Sequence, residues 1–226
     1  MQANFATQLA HALSSERLAA YQQRGNHHSK LKLFSHYTWN MALSESLYPT
    51  LQILEITLRN SIHIAISRHF ERDDWYNQEG LISFHSEIEA LNKARRTLQR
   101  QHKPLDPGRI IAELNFGFWT SLLDRRYEQA LWPRLLKTAF PHMERRLRTR
   151  KTLSRRFHKI RDLRNRIFHH EPIWYWQDLN QQHQDVLEAI YWIEPAAKDL
   201  AETIDRFSDI YQNGLNELER KLRNFC

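Results

Sequence analysis

The segment from Arg164 to Trp174 reads RNRIFHHEPIW. It places Arg164, Asn165, Arg166, His169 and His170 close together, with Glu171 and Pro172 directly after them. These residue types suit proton transfer beside an anion. Histidine titrates near neutral pH and can take or give a proton. Arginine offers planar, paired donors that match phosphate oxygens. Asparagine can donate to a phosphate or orient an imidazole. The HHE triplet lacks the H-x3-H spacing of a helical zinc pair, so no metal or other cofactor is expected.

The element that carries these residues is a basic helix, expected from about Met143 to His169. Between Glu144 and Arg166, eleven of 23 residues are Lys or Arg. Arg145, Arg146, Arg148, Arg150, Lys151, Arg155, Arg156, Lys159, Arg161 and Arg166 form a tract for a polyanion backbone. The alternative is a helix face that meets only water. Leu153, Phe157, Ile160, Leu163 and Ile167 form a narrow apolar stripe, too narrow for a membrane-surface helix. Arg164 falls within that stripe, where an unpaired charge is costly. It therefore needs a partner or a cleft. His169 lies about 140° away on the helical wheel. Either the helix unwinds before His169, as Pro172 favours by restricting Glu171, or the two residues work with groups from elsewhere, such as a second copy. His170 falls near the stripe's edge, which favours packing, with substrate contact as the alternative.

The 226 residues carry 33 Lys and Arg against 26 Asp and Glu. That balance favours phosphate-bearing partners. The single cysteine, Cys226, excludes an intramolecular disulfide and a cysteine-based metal site. The start lacks the pattern of a secretory signal, and no apolar run approaches the roughly 18–20 residues that span a bilayer. A cytoplasmic location without membrane contact is expected.

Only five glycines and seven prolines argue for long helices. Leu9, Leu13, Leu18 and Tyr21 predict one helix over 6–24, followed by a polar link at 24–30. The series from Leu43 to Phe70, repeating every three or four residues, predicts a helix over 42–70, with Pro49 in its first turns or at a kink. Further helices are expected over 88–101, 110–131, a short element at 132–140, and one or two beyond 187. Asp106 before Pro107 reads as an N-cap followed by proline at the first helical position. The expectation is an all-α fold of about five to eight helices in a single globular domain.

R-N-x-x-x-H, here Arg164, Asn165 and His169, resembles the signature of HEPN domains, an all-α superfamily of mostly metal-independent ribonucleases. LRNRIFHHEPIW is similar to the Abi-like branch, found among bacterial abortive-infection proteins. LYPTLQILEITLRNSIH at 47–63 and RIIAELNFGFWTSLL at 109–123 match that branch in order and spacing. The resemblance covers most of residues 35–200. It implies a HEPN-type helical bundle with additional helices, residues 31–226, preceded by a helical extension at 1–30. It also implies a homodimer that joins two R-x4-H motifs in one cleft, toxin-like RNA cleavage during phage attack, and restraint by an antitoxin, RNA or protein. Such cleavage needs a base for the ribose 2′-OH, an acid for the departing 5′ oxygen and a cation for the phosphorane. Arg164, Asn165 and His169 are the catalytic candidates, with His170, Glu55, Arg59 and Asn60 in support. Glu55 and Arg59 are spaced for an ordinary helix ion pair; the family block suggests instead that Glu55 neutralises Arg164. Some HEPN toxins carry a tyrosine two residues after the motif histidine, where nucleotidylation silences them. Glu171 stands there in this chain, so that control is not carried over. Two alternatives remain: a non-catalytic HEPN RNA-binding or antitoxin-type protein, and a helical module that contacts protein or DNA.

Overall fold

The first break in the chain is set by one serine. Ser14 adopts φ 64° and its Oγ accepts from Arg17 N at 3.3 Å. The expected helix over 6–24 is therefore two, α1 (Ala3–Leu13) and α2 (Ser15–Gly25). A side-chain oxygen that caps a new helix competes with continuation of the old one. The structure, a computed structural model, describes residues 3–25 and 29–223. Residues 26–28 of the polar link expected at 24–30, and Cys226, lie outside those residues.

Helix α3 (Lys30–Phe70) starts twelve residues before the expected position and runs through Pro49. Leu43, Leu47, Leu51, Leu54, Leu58, Ile62 and Ile66 are all buried. Each contributes about 1.5–3 kcal/mol, which together outweighs the roughly 3 kcal/mol cost of an interior proline. The earlier start follows from Phe34, which packs with Leu18, Leu33 and Tyr37.

A 3₁₀ turn at Trp75–Asn77 precedes α4 (His85–Arg100). Helix α5 (Pro107–Glu113) has the expected cap, with Asp106 Oδ1 3.0 Å from Arg109 N. The expected run over 110–131 is broken. Asn115 caps a new helix, α6 (Phe116–Ser121), by accepting from Phe118 N at 3.0 Å. A 3₁₀ turn follows at Arg125–Tyr127, then α7 (Trp132–Ala139).

The basic helix is shorter than expected. Thr149 Oγ1 accepts from Thr152 N at 3.1 Å, and α8 spans Arg150–Phe168. Arg145, Arg146 and Arg148 thus lie in the turn before it. Three helices, not one or two, complete the chain: α9 (Leu179–Ile193), α10 (Pro195–Ile204) and α11 (Phe207–Arg223). The fold is all-α, with no strand and more helices than expected among the described residues. Among them, no helix is long and apolar enough to cross a membrane.

The chain forms two compact units, with α3, α8, α9 and α10 each contributing residues to both. The first comprises Met1–Leu51, Asp162–Gln184 and Ala201–Cys226. Within it, Trp39 Nε1 donates to Ile210 O at 2.9 Å. Gly214 faces the same indole: a Cβ there would come within 3.2 Å of Trp39 Cδ1. His183 stacks on Phe207 at 4.4 Å, with Nε2 2.7 Å from Asp205 Oδ2. The second comprises Gln52–Arg161 and Asp185–Leu200. Its core gathers Trp75, Phe118 and Trp119, and Trp132, Phe140 and Phe157. The indole N–H groups find acceptors: Trp75 on His63 Nδ1, Trp119 on Leu114 O and Trp132 on Leu122 O.

His183 makes folding sensitive to pH. It is 1% exposed, and burial lowers its pKa, with Asp205 and Glu202 opposing. Burial also lowers the pKa of His63. The unfolded chain binds a proton on each near pH 6.5, before the folded chain does. Their contribution is present above that pH and is lost on acidification. Melting temperature should fall between about pH 7.5 and pH 5.5, and fall less in His183→Gln. An equal fall in both proteins would remove His183 as a source.

Candidate nucleic-acid site at the end of α8

The motif lies on the last turn of α8 and its closure. His169 N donates to Asn165 O at 2.9 Å, so helical hydrogen bonding reaches His169, the residue just past the end of α8. The expected unwinding before this residue does not occur. The reversal comes one residue later, at His170, with φ 57°. His170 N donates to Ile167 O at 3.0 Å and Glu171 N to Arg166 O at 2.8 Å. These paired bonds form a Schellman closure, which usually has glycine at the left-handed position. The apolar contact that often spans such a closure is replaced by an Arg166–Glu171 ion pair. Pro172 then bars further helix because it has no N–H.

Two other elements hold the exit. Arg17 of α2 donates to His170 O at 2.5 Å. Asn40 of α3, 3% exposed, accepts through Oδ1 from Ile173 N at 2.7 Å and Trp174 N at 3.2 Å. Its Nδ2 donates to Glu171 O at 3.4 Å. Ile173 is fully buried beyond this clamp. Sequence reasoning missed both Asn40 and Arg17. A signal existed for Asn40: it sits three and seven residues before Leu43 and Leu47, on their stripe, and a polar residue there needs partners.

Arg164 is half-buried, and its guanidinium lies 4.1 Å from the Phe168 ring centroid. This is a cation–π contact across one turn. Asn165, His169 and His170 are exposed. His170, for which packing against the stripe is one of two expected roles, is exposed at the left-handed position of the closure rather than buried. Among the described residues, Asn165 and His169 have no side-chain hydrogen bond. Arg164 and His169 remain about 140° apart along a continuous helix, so the helix alone does not bring them together.

Glu55, Arg59 and Asn60 belong to the other unit. Arg59 donates to Ala112 O at 3.0 Å and ties α3 to the end of α5. Glu55 is half-buried and Asn60 is exposed.

The basic tract divides by environment. Arg148 donates twice to Met143 O, at 3.0 and 2.8 Å. Arg150 donates to Leu123 O at 3.1 Å and lies 3.3 Å from Glu128. Arg156 meets Glu188 at 2.6 Å and Asp185 at 3.6 Å, and lies over the Trp192 ring. Lys159 Nζ is 4.0 Å from Asp185. Arg161 donates to Thr120 Oγ1 at 3.2 Å. These cations hold the fold. Arg145, Lys151 and Arg155 are exposed. Arg146 and Arg166 are also exposed, beside Glu144 and Glu171 respectively. No group of three or more His, Cys, Asp or Glu among the described residues is placed to hold a metal ion.

The closure and the clamp make opposite predictions. His170→Gly relieves the left-handed cost of an L-residue and should stabilise the protein by about 1 kcal/mol. Asn40→Ala strands two N–H groups and should destabilise it by about 2–4 kcal/mol. Urea titration reads both; destabilisation by His170→Gly would show that its side chain, not its backbone, matters to the fold. No protein-family model, curated protein or solved structure matches the chain.

Proposed function

We propose that the chain is a metal-independent endoribonuclease of the HEPN type, acting as a toxin-like protein of abortive infection in phage defence. The observation that carries this reading is the exposed Asn165 and His169 beside Arg164 on a helix end clamped by Asn40 and Arg17. Exposed cations on and before the same helix support an RNA backbone as the partner. The resemblance of the R-x4-H block and the two upstream blocks supports the reaction class.

In this reading the ribose 2′ oxygen attacks the adjacent phosphorus as one His169 takes its proton. The bond from phosphorus to the 5′ oxygen breaks, and a second His169 protonates that oxygen. Arg164 stabilises the charge on the phosphorane. The products are a 2′,3′-cyclic phosphate and a 5′-hydroxyl. The separation of Arg164 and His169 around one helix favours a homodimer that supplies the second motif. An antitoxin, RNA or protein, would cover the same exposed helix end.

One observation favours a second reading. A catalytic imidazole is commonly oriented by a third group, and His169 has no such side-chain bond among the described residues. A non-catalytic RNA-binding or antitoxin-type protein would need none.

Expression of the wild type alone should slow growth, and His169→Ala or Arg164→Ala should relieve this. Sequencing of RNA ends should find new 2′,3′-cyclic phosphate termini in the wild type only, and purified protein should still cleave in EDTA. RNA binding by both proteins with no new ends in either would establish the binder. The salt dependence of binding tests the tract. Lys151→Glu with Arg155→Glu should lower the salt slope by about 1.4, at roughly 0.7 per single-strand phosphate. Arg156→Glu should mainly lower the melting temperature, because it sets a third carboxylate against Asp185 and Glu188.

A further inference from the structure

Beside the motif, within the same unit, lies an open groove of about 440 Å³. Tyr48, Pro49, Ile167, Phe168 and His170 are among its walls. Two of its aromatic rings sit together at the surface. Tyr48 is 47% and Phe168 41% exposed. Their centroids are 5.5 Å apart with the planes tilted by 37°. The Arg164 guanidinium lies against the Phe168 ring. Arg206, also at the groove, is exposed and meets Glu45 at 2.6 Å.

We propose that this groove receives one unpaired nucleobase of single-stranded RNA, stacked on Tyr48 and Phe168, and so directs the protein to unpaired RNA beside Arg164 and His169. The proposal rests on the ribonuclease reading in taking RNA as the partner. The occupant follows from the chemistry of the walls. A nucleotide combines a flat π-face with an anionic phosphate. Here aromatic rings and cations lie within one turn of each other. Arg17, Arg164, Arg166 and Arg206 outnumber Glu45 and Glu171 around the groove and closure. An aliphatic chain would use the rings and gain nothing from the positive charge beside them, whereas a phosphate is attracted to it. A paired base has its faces covered by neighbours in the duplex and cannot enter, whereas single strands can splay a base onto an aromatic side chain.

The test uses the full chain carrying His169→Ala, so that RNA stays intact. The probe is a short single-stranded oligonucleotide with one 2-aminopurine, whose fluorescence is quenched on stacking. Binding should quench the probe. Tyr48→Leu and Phe168→Leu keep apolar bulk and should each relieve the quenching and weaken binding about tenfold. Tyr48→Phe should retain both. An abasic nucleotide in place of 2-aminopurine should cost the parent the same factor, with no change to the protein. The matching duplex should bind more weakly and respond to neither leucine substitution. If the parent binds the single strand while the leucine variants and the abasic probe behave as the parent does, the groove proposal is overturned and the ribonuclease reading stands. If the parent binds no RNA, both fail. Light scattering separates the rival occupant. Leucine variants that turn a dimer into a monomer, and regain affinity when concentrated, would give the groove to a second copy and overturn the proposal.

Discussion

The architecture around the motif depends on how the chain leaves α8. Glu171, Ile173 and Trp174 carry backbone groups that no regular element satisfies, and Pro172 between them has no N–H to give. A buried N–H without an acceptor costs about 1–3 kcal/mol. Asn40 answers for all three residues with one side chain. This is possible only if α3 is already helical at Asn40. The length of α3 and the passage through Pro49 are thus linked to the exit of α8. A helix beginning at Pro49 would spare the cost of the interior proline, but it would leave the exit without its partner. Arg17 adds a third remote segment, bonded to the carbonyl of the strained residue itself. Segments far apart in sequence therefore converge on the backbone just past His169.

Charge shows a similar division between structure and surface. Arg148, Arg150 and Arg156 each donate to a backbone carbonyl, of Met143, Leu123 and Asp185 respectively. Two of these carbonyls lie in turns, where helical partners are lacking. The guanidinium fork suits this, because it can reach a carbonyl and a carboxylate together. A count of cations along the sequence therefore overstates the charge available to a polyanion. What remains for solvent and ligand is concentrated at Arg145, Arg146, Lys151, Arg155 and the residues of the closure.

The long apolar stripes were legible in the sequence because burial repeats at helical spacing. Leu43 to Ile66, and Leu153 to Ile167, lie where the periodicity puts them. Asp106 with Pro107 was legible because a cap and a first-turn proline reinforce each other. The breaks at Ser14, Asn115 and Thr149 were not. Each is a single side-chain oxygen inside a run whose apolar spacing continues, and spacing alone cannot separate one helix from two. At the site, Pro172 gave the approximate end of α8. It did not reveal that His170 would take the left-handed position, since glycine is the residue that signals one. The clamp was hidden for a related reason: His36, Trp39 and Asn40 interrupt the aliphatic pattern that marks the rest of α3.

The rigidity of the closure bears on how the motif is used. Were the helix loose at its end, Arg164 and His169 could rotate toward one phosphate within a single chain. The bond from His169 N to Asn165 O, the paired bonds at His170 and Glu171, and the Asn40 clamp remove that freedom. The angular separation is then a fixed property of the chain. Arg164 is held against Phe168, while the His169 imidazole has no protein hydrogen bond among the described residues to set its orientation. Under the proposed function, its partner comes from substrate or from a second motif. A base stacked against Tyr48 and Phe168 would fix the neighbouring phosphate relative to Arg164, so the groove would position the substrate and leave only the imidazole to be oriented from outside.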